Sequence, residues 1–129
     1  MGGIVVSKNM DFVPLIDCYS SLLTEKQRNV IELYYYDDLS LSEIAEHTHT
    51  TRQGVYDNVK RAEYYLMELE NKLGFVKKSN RLNKLLNEIE VQSQKIVSLD
   101  KGNSCEIVNI AENISQLVEN GKNFLIDLW

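Results

Sequence analysis

The sequence predicts an all-α protein, and three observations support that class. Only one of the 129 residues is proline and six are glycine, which leaves little of the turn chemistry that a β-sandwich or barrel needs. Apolar residues recur at three- and four-residue steps along most of the chain, as they do in amphipathic helices. Ser or Thr followed three residues later by Glu or Gln marks several helix starts. With 43% hydrophobic and 26% charged residues, the chain has the composition of a soluble globular protein.

Four helices are predicted in the first half of the chain. Pro14 is tolerated only in the first turn of a helix, so it fixes where the first helix starts. Thr24 with Gln27, and Ser40 with Glu43, are capping boxes that open the second and third helices. The predicted spans are residues 10–23, 24–36, 41–47 and a helix of about six turns that ends before Gly74.

The second half predicts a helical hairpin. An amphipathic helix follows Gly74, a turn is expected at residues 100–104, and a last long helix is expected to stop at Asn120-Gly121. We therefore divide the chain into a flexible N-terminus (1–9), an N-terminal three- or four-helix bundle (10–74) and a long C-terminal hairpin (75–129).

The third and fourth predicted helices have the features of a helix-turn-helix. They differ in length, about four residues join them, and Ala45 supplies the small residue that lets the second helix cross the first. Ile44 and Val55 supply the apolar contact at the crossing. Thr50 or Thr51 caps the second helix, whose unpaired amides and positive dipole end can face a phosphate.

The inward apolar stripe of that second helix leaves its opposite side free for a partner. The residues that point most directly outward are Gln53, Asp57, Lys60 and Tyr64. Those on the flanks are Arg52, Tyr56 and Arg61. Arg52 and Gln53 have donor geometry suited to guanine and adenine edges. The long cationic side chains of Lys60 and Arg61 suit phosphates.

Two resemblances rest on these residues. Residues 23–73 resemble region four of bacterial sigma factors, above all in residues 39–46 followed by Thr51-Arg52. The chain is more closely similar to the small bacterial YlxM family, in residues 31–35, Asp37-Asp38 and residues 52–61. That resemblance implies a helix-turn-helix DNA-binding regulatory protein linked with the signal recognition particle pathway.

The sigma-factor resemblance implies that Arg52, Gln53 and Tyr56 stand at base-contacting positions. It also implies that His49 takes the turn position usually held by glycine, in left-handed geometry, at a cost of roughly 1 kcal/mol. The predicted contact set is Arg52, Gln53, Tyr56 and Asp57 for bases, Thr51, Lys60 and Arg61 for phosphates, and an auxiliary basic patch of Lys77, Lys78, Arg81 and Lys84. That patch is also interpretable as a solvated helix face.

Charge leaves a second interpretation open. The net charge of the chain is -5, so no global positive field draws it to nucleic acid and any contact must be local. The alternative is a protein-interaction module that modulates the GTPase or the RNA of the signal recognition particle and uses the helix-turn-helix as a scaffold. An acidic surface would suit a basic protein partner.

Other functional classes find little support in the sequence. No phosphate-binding loop, metal motif or paired nucleophile is present, so we expect no enzyme activity, no cofactor and no metal. His47 and His49 do not complete a metal pattern, and five tyrosines in two clusters are expected in the core and at its rim rather than in a base-stacking platform. No apolar run is long enough to span a bilayer, and no secretory signal is recognisable, so we expect a cytoplasmic protein.

A homodimer is expected, with the C-terminal hairpin as the dimerisation element. A single helix-turn-helix contacts only a few base pairs, so useful affinity needs two copies about one helical turn, roughly 34 Å, apart. The aliphatic stripes of the hairpin and the apolar residues 124–129 offer more apolar surface than two helices can hide.

Overall fold

The computed structural model describes residues 8–99 and 105–127, and its regular elements in these ranges are all helical. The all-α helix-turn-helix class is therefore confirmed. Residues 1–7, 100–104 and 128–129 lie outside the described ranges, and with them most of the expected flexible N-terminus and the expected turn at 100–104. Within these ranges the six α-helices are α1 (Phe12–Tyr19), α2 (Glu25–Tyr35), α3 (Leu41–Thr48), α4 (Arg52–Leu73), α5 (Phe75–Leu99) and α6 (Cys105–Asp127).

Two compact units divide the described residues between Val76 and Lys77. The first contains α1 to α4 and the first two residues of α5. The second contains the remainder of α5 together with α6.

Both capping boxes form as predicted. Thr24 Oγ1 accepts from the Gln27 amide at 3.2 Å, and Gln27 Oε1 accepts from the Thr24 amide at 3.2 Å. Ser40 Oγ accepts from the Glu43 amide at 3.1 Å, and Glu43 Oε2 accepts from the Ser40 amide at 2.7 Å. The backbone hydrogen bond from Ser40 holds the pKa of Glu43 below its ordinary value.

One boundary of the first unit differs from the prediction. The first α-helix ends at Tyr19, and a 3-10 turn, Ser20–Leu22, follows before α2. At the start of α4 the prediction left Thr50 and Thr51 open as caps, and the cap is Thr51, whose Oγ1 accepts from the Gly54 amide at 3.0 Å. A capping box on Thr51 would need Glu or Gln at position 54, so Gln53 does not complete one. The Gln53 side chain can therefore bind another group.

The core of the first unit lies between α4 and the three helices before it. Ile44 and Val55 are fully buried where α3 crosses α4, and Ala45 is the small residue beside them, as predicted. His49 ends α3 with φ 55° and ψ 41°, and the Thr50 amide closes the turn on the carbonyl of Ala45 at 3.0 Å. Left-handed His49 is thus confirmed. The buried core residues are Ile16, Tyr19, Leu23, Val30, Ile31, Tyr34, Tyr35, Leu41, Ile44, Ala45, Val55, Val59, Ala62 and Leu66.

One glycine joins α4 to α5. Gly74 adopts left-handed geometry at φ 61°, which favours glycine, and ends α4 as predicted. The Tyr19 hydroxyl donates to Glu70 Oε2 at 2.8 Å and accepts from the Phe75 amide at 3.1 Å. Glu70 Oε2 also accepts from the Val76 amide at 3.1 Å. Side chains of α1 and α4 therefore cap the start of α5.

The second unit is a hairpin whose inner seam is small and polar. Ser93 Oγ donates to the carbonyl of Ala111 at 2.5 Å and lies 3.0 Å from Ser115 Oγ. Lys122 donates to the carboxylate of Glu90 in an ion pair across the seam. These contacts fix the register of α5 against α6.

The predicted end of the last helix was wrong. Helix α6 continues through Gly121 to Asp127. A glycine inside a helix costs about 1 kcal/mol relative to alanine. At Gly121 an added Cβ would lie 3.6 Å from the Leu86 side chain, an ordinary van der Waals contact, so a larger residue such as alanine has room there. The helix therefore continues past the local stop signal.

Candidate nucleic-acid interface

Helix α4 buries one face and exposes the other. Val55, Val59 and Leu66 are at most 2% exposed, which confirms the predicted inward stripe. On the opposite side, Thr51, Arg52, Gln53, Asp57, Lys60 and Arg61 are exposed, and Tyr56 is half-buried at the edge. The structure thus brings the predicted contact residues together on one helix, along its first three turns.

Arg52 lies beside a small groove at the N-terminal end of α3. The groove, of about 330 Å³, is also lined by Lys8, Tyr34 and Ser40, and by two acidic side chains, Asp38 and Glu43. Among the described residues Arg52 forms no hydrogen bond or ion pair, so its guanidinium is available to a ligand. Both signs of charge surround it.

Lys8 is a cation that the sequence analysis missed. Its ammonium lies 4.6 Å from the centroid of the Tyr34 ring and forms an ion pair with Asp38. No local pattern predicts these contacts, because Lys8 lies 30 residues from Asp38 in sequence.

Gln53 and Asp57 form a pair on the outward face. The Gln53 side-chain amide donates to Asp57 Oδ1 at 3.0 Å, one helical turn away. The hydrogen bond uses one amide proton and fixes the direction of the Gln53 side chain. A base that binds Gln53 bidentately must therefore break this pair or accept from the second proton.

Lys60 is held by a buried carboxylate. Its ammonium lies 2.8 Å from Glu63 Oε2, and the other oxygen of Glu63 accepts from the Tyr35 hydroxyl at 2.7 Å. Glu63 is 6% exposed. The hydrogen bond to Glu63 raises the pKa of Lys60, and burial together with the Glu63 hydrogen bond raises the pKa of Tyr35.

Sequence reasoning missed Glu63 as part of the site. The three-residue spacing from Lys60 is a recognisable signal for an ion pair on one helix. The hydroxyl of Tyr35 gives no such signal, since it lies 28 residues away and reaches Glu63 only through packing of α2 on α4. Lys60 thus offers phosphate a cation that already has a partner.

Arg61 lines a groove between the start of α2 and the outer side of α4. The groove measures about 780 Å³. Arg61 forms no hydrogen bond or ion pair among the described residues. The groove is also lined by Leu22, Thr24, Gln27, Asp57, Lys60, Tyr64 and Tyr65.

The tyrosines divide between core and rim, as expected. Tyr34 and Tyr35 are buried and meet edge to face, with ring centroids 5.1 Å apart. Tyr36 is exposed, and its hydroxyl donates to Asp17. Tyr64 and Tyr65 are exposed on the outer side of α4, beside the groove that holds Arg61.

The auxiliary basic residues belong to the second unit. Lys77, Lys78, Arg81 and Lys84 are all exposed on α5. Their spacing places them on one side of that helix. They form a basic strip within the second unit.

The described residues contain no cluster of His, Cys, Asp and Glu that could hold a metal ion. Within the same ranges, no helix is long and apolar enough to cross a membrane.

Comparison with known proteins identifies the family. Residues 6–104 match the family UPF0122, described as "Putative helix-turn-helix protein, YlxM / p13 like". A UPF0122 protein of Clostridium botulinum is 50% identical over 88 residues, 67% of this chain and 81% of the relative. One from Listeria welshimeri is 47% identical over 87 residues (67% and 79%), and one from Desulforamulus reducens is 56% identical over 75 (58% and 64%). The chain therefore belongs to the UPF0122 family of YlxM/p13-like helix-turn-helix proteins.

Proposed function

We propose that this chain is a DNA-binding regulatory protein that acts in the cytoplasm and inserts α4 into the major groove. The observation that supports this role most strongly is the disposition of α4. Thr51 caps its N-terminus, its apolar stripe is buried, and the unpaired Arg52 guanidinium lies exposed in its first turn. A recognition helix needs these three properties together. The role is binding without catalysis, and no cofactor takes part.

Roles follow from position along the helix. Arg52, Gln53, Tyr56 and Asp57 lie in the first two turns and are assigned to base edges. Thr51 at the helix N-terminus, with Lys60 and Arg61 one to two turns farther on, is assigned to phosphates, which position the helix without reading sequence.

Two copies bind together in this proposal. The C-terminal hairpin is assigned as the dimerisation element, so that two recognition helices address half-sites about one helical turn apart. The proposed domain division is accordingly 1–9 as N-terminal segment, 10–74 for DNA and 75–129 for dimerisation. The basic strip on α5, from Lys77 to Lys84, is assigned as an auxiliary phosphate contact.

The experiment is a selection from random duplex DNA followed by mobility shifts at low salt. Arg52→Ala is expected to weaken binding to the selected site by about 1–3 kcal/mol and to relax its sequence preference. Lys72→Ala is the matched control, since it removes one cation from the far end of the same helix, where Lys72 pairs with Glu68 at 3.8 Å. Equal losses in both variants, or no shift for the unmodified chain, would reject the assignment.

A second candidate is a protein-interaction module that modulates the signal recognition particle through its GTPase or its RNA. Charge favours it. Residues 24–73 carry six basic and ten acidic side chains, a balance of 6 - 10 = -4, and Glu63 already neutralises Lys60. Complementary potentials would then speed encounter with a basic protein. Co-purification with the GTPase and a changed rate of GTP hydrolysis are the expected results, and no heat of binding in calorimetry would remove this candidate.

A further inference from the structure

Each helix of the hairpin carries an outer row of large apolar side chains in addition to the inner seam. Within each row the residues follow one another at alternating steps of three and four, the spacing of the a and d positions of a coiled coil. The row on α5 is Leu82, Leu85, Ile89, Gln92, Ile96 and Leu99, and the row on α6 is Ile107, Ile110, Ile114, Leu117, Gly121 and Phe124.

These rows are exposed, whereas the inner seam is not. Nine of the ten large apolar side chains in the two rows are between 40% and 77% exposed, and Ile114 is half-buried. The buried seam consists instead of small or polar residues such as Ser93 and Ala111, with Val118 and Leu125. The hairpin thus leaves its most apolar surface outside, the reverse of what an isolated pair of helices would bury.

The two rows lie on the same side of the hairpin. Ser93 contacts Ala111 and Ser115, so antiparallel α5 and α6 are in a register that sets Ile89 level with Leu117. On each helix the outer row is rotated by about one residue, near 100°, from the inner seam. In an antiparallel pair these rotations turn both rows toward one face. A groove of about 620 Å³ on that face is lined by Ile89 and Ile96 of α5 together with Ile114 of α6.

We propose that a second copy of this chain covers this face, so that two hairpins form a four-helix bundle whose two-fold axis runs along the bundle. This assignment deepens the dimer of the proposed function by naming its contact surface. In this arrangement each α5 packs antiparallel against α6 of the other copy. Residues of α5 and α6 that lie at the same height within one hairpin also lie at the same height between the two copies. The layers then pair Leu82 with Phe124, Ile89 with Leu117, and Ile96 with Ile110.

Polar groups in and beside the rows fit a second copy. Gln92 is the single polar side chain in the two rows, and a lone polar residue at a core position is a known device for fixing register and the number of chains. At the border, Arg81 of α5 lies near the level of Asp127 of α6. Neither forms an ion pair among the described residues, so the two can pair between copies.

The size of the face also fits. From Leu82 to Leu99 the row rises about 26 Å along α5, and two helices side by side are roughly 20 Å wide. The flat footprint is therefore about 520 Å², roughly two thirds of the 800 Å² or so that each partner buries in a standard stable interface, and the projecting side chains add to it. Half of the face is on α6, beyond the residues 6–104 that match the family.

The test is analytical ultracentrifugation of the full chain without DNA, so that its result is independent of DNA binding. The unmodified chain is expected to sediment as a dimer. Ile110→Glu, in the outer row, is expected to raise the dissociation constant more than about 100-fold, because a buried unpaired carboxylate costs several kcal/mol. Ile126→Glu is the matched control, since Ile126 is 66% exposed on the opposite side of α6. It is expected to remain dimeric.

Circular dichroism is used to check that each variant keeps its helices. Ile89→Glu supplies an independent substitution in the row of α5. A monomer at about 100 µM would overturn the proposal, as would equal dissociation of Ile110→Glu and Ile126→Glu. Trimers or tetramers would overturn the two-copy arrangement. A monomeric chain that sediments with phospholipid vesicles would assign the face to a lipid surface instead.

Discussion

Lys60 and Glu63, both on α4, form an ion pair of 2.8 Å in which the cation is half-exposed and the carboxylate is buried. A phosphate that approaches Lys60 therefore competes with an acceptor that is already in place. Tyr35 anchors that acceptor from α2.

Glu63→Gln is expected to strengthen the DNA binding that we propose. The amide oxygen still accepts from Tyr35, but the negative charge that holds Lys60 is gone, so Lys60 becomes a full phosphate contact. The slope of log K against log salt should steepen by about 0.9. Fluorescence anisotropy over a salt series measures both the affinity for DNA and this slope. Glu68→Gln removes the same charge from a more exposed position on α4, and an equal gain there would show that only net charge matters.

Tyr35→Phe is expected to destabilise the first unit by about 1–3 kcal/mol. The substitution leaves one oxygen of the buried Glu63 without its donor. Urea denaturation measures the loss. Tyr36→Phe is the comparison, since the Tyr36 hydroxyl donates to Asp17 on the surface and its loss should cost well under about 1 kcal/mol. Similar losses would contradict the special role of the buried bond.

Ala45→Leu is expected to destabilise the protein by about 1–3 kcal/mol, because added methylenes at the α3–α4 crossing overpack it. Glu46→Leu places the same side chain on the exposed neighbouring position and should change the free energy of unfolding by less than about 0.5 kcal/mol. Thermal denaturation followed by circular dichroism compares the two, and tolerance of leucine at position 45 would argue against the tight crossing.

His49→Gly and His47→Gly are expected to have opposite effects. His49 is left-handed, so glycine relieves strain and should stabilise the chain by about 0.5–1 kcal/mol after its entropic cost. His47 lies in the last turn of α3, where glycine should cost up to about 1 kcal/mol. Chemical denaturation gives both values. Loss of stability in His49→Gly would show that the imidazole makes an undetected contribution.

Stability is expected to fall above pH 10. Burial, and then the hydrogen bond to Glu70, raise the pKa of Tyr19 from 10.0 to about 12. A group with a raised folded pKa stabilises the protein fully below its unfolded pKa, and this contribution is lost as pH rises from about 10 through 12. Urea midpoints between pH 8 and 12 should show the decline, with a smaller slope for Tyr19→Phe. Tyr64→Phe, at an exposed position, should follow the unmodified chain.

Much of the first unit was predictable because its signals are local. The two capping boxes, the glycine after α4 and the small Ala45 at the helix crossing act within a few residues, so sequence spacing suffices to find them. The sequence left the cap of α4 open between Thr50 and Thr51. The Thr50 amide closes the turn on the carbonyl of Ala45, and Thr51 is the residue that caps α4.

The site was predictable as a set of outward positions but not as a network. Periodicity placed Gln53, Lys60 and Arg61 on the outer side of α4. It could not show that Tyr35 and Glu63 hold Lys60, since that contact depends on how α2 packs against α4. In the hairpin, the apolar stripes predicted the two helices, although not the end of the second. The seam nevertheless formed through Ser93 and Ala111, because small residues allow two helices to approach closely.

The hydroxyl of Tyr19 and the carboxylate of Glu70 together accept from the amides of Phe75 and Val76. In hydrogen–deuterium exchange these two amides can exchange only when that side-chain cap opens, in contrast to the freely solvated first amides of an ordinary helix. Their protection factors would therefore report the integrity of α1 from a position more than fifty residues downstream. Slow exchange at Phe75 and Val76 would mark the end of the first cooperative folding unit along the chain.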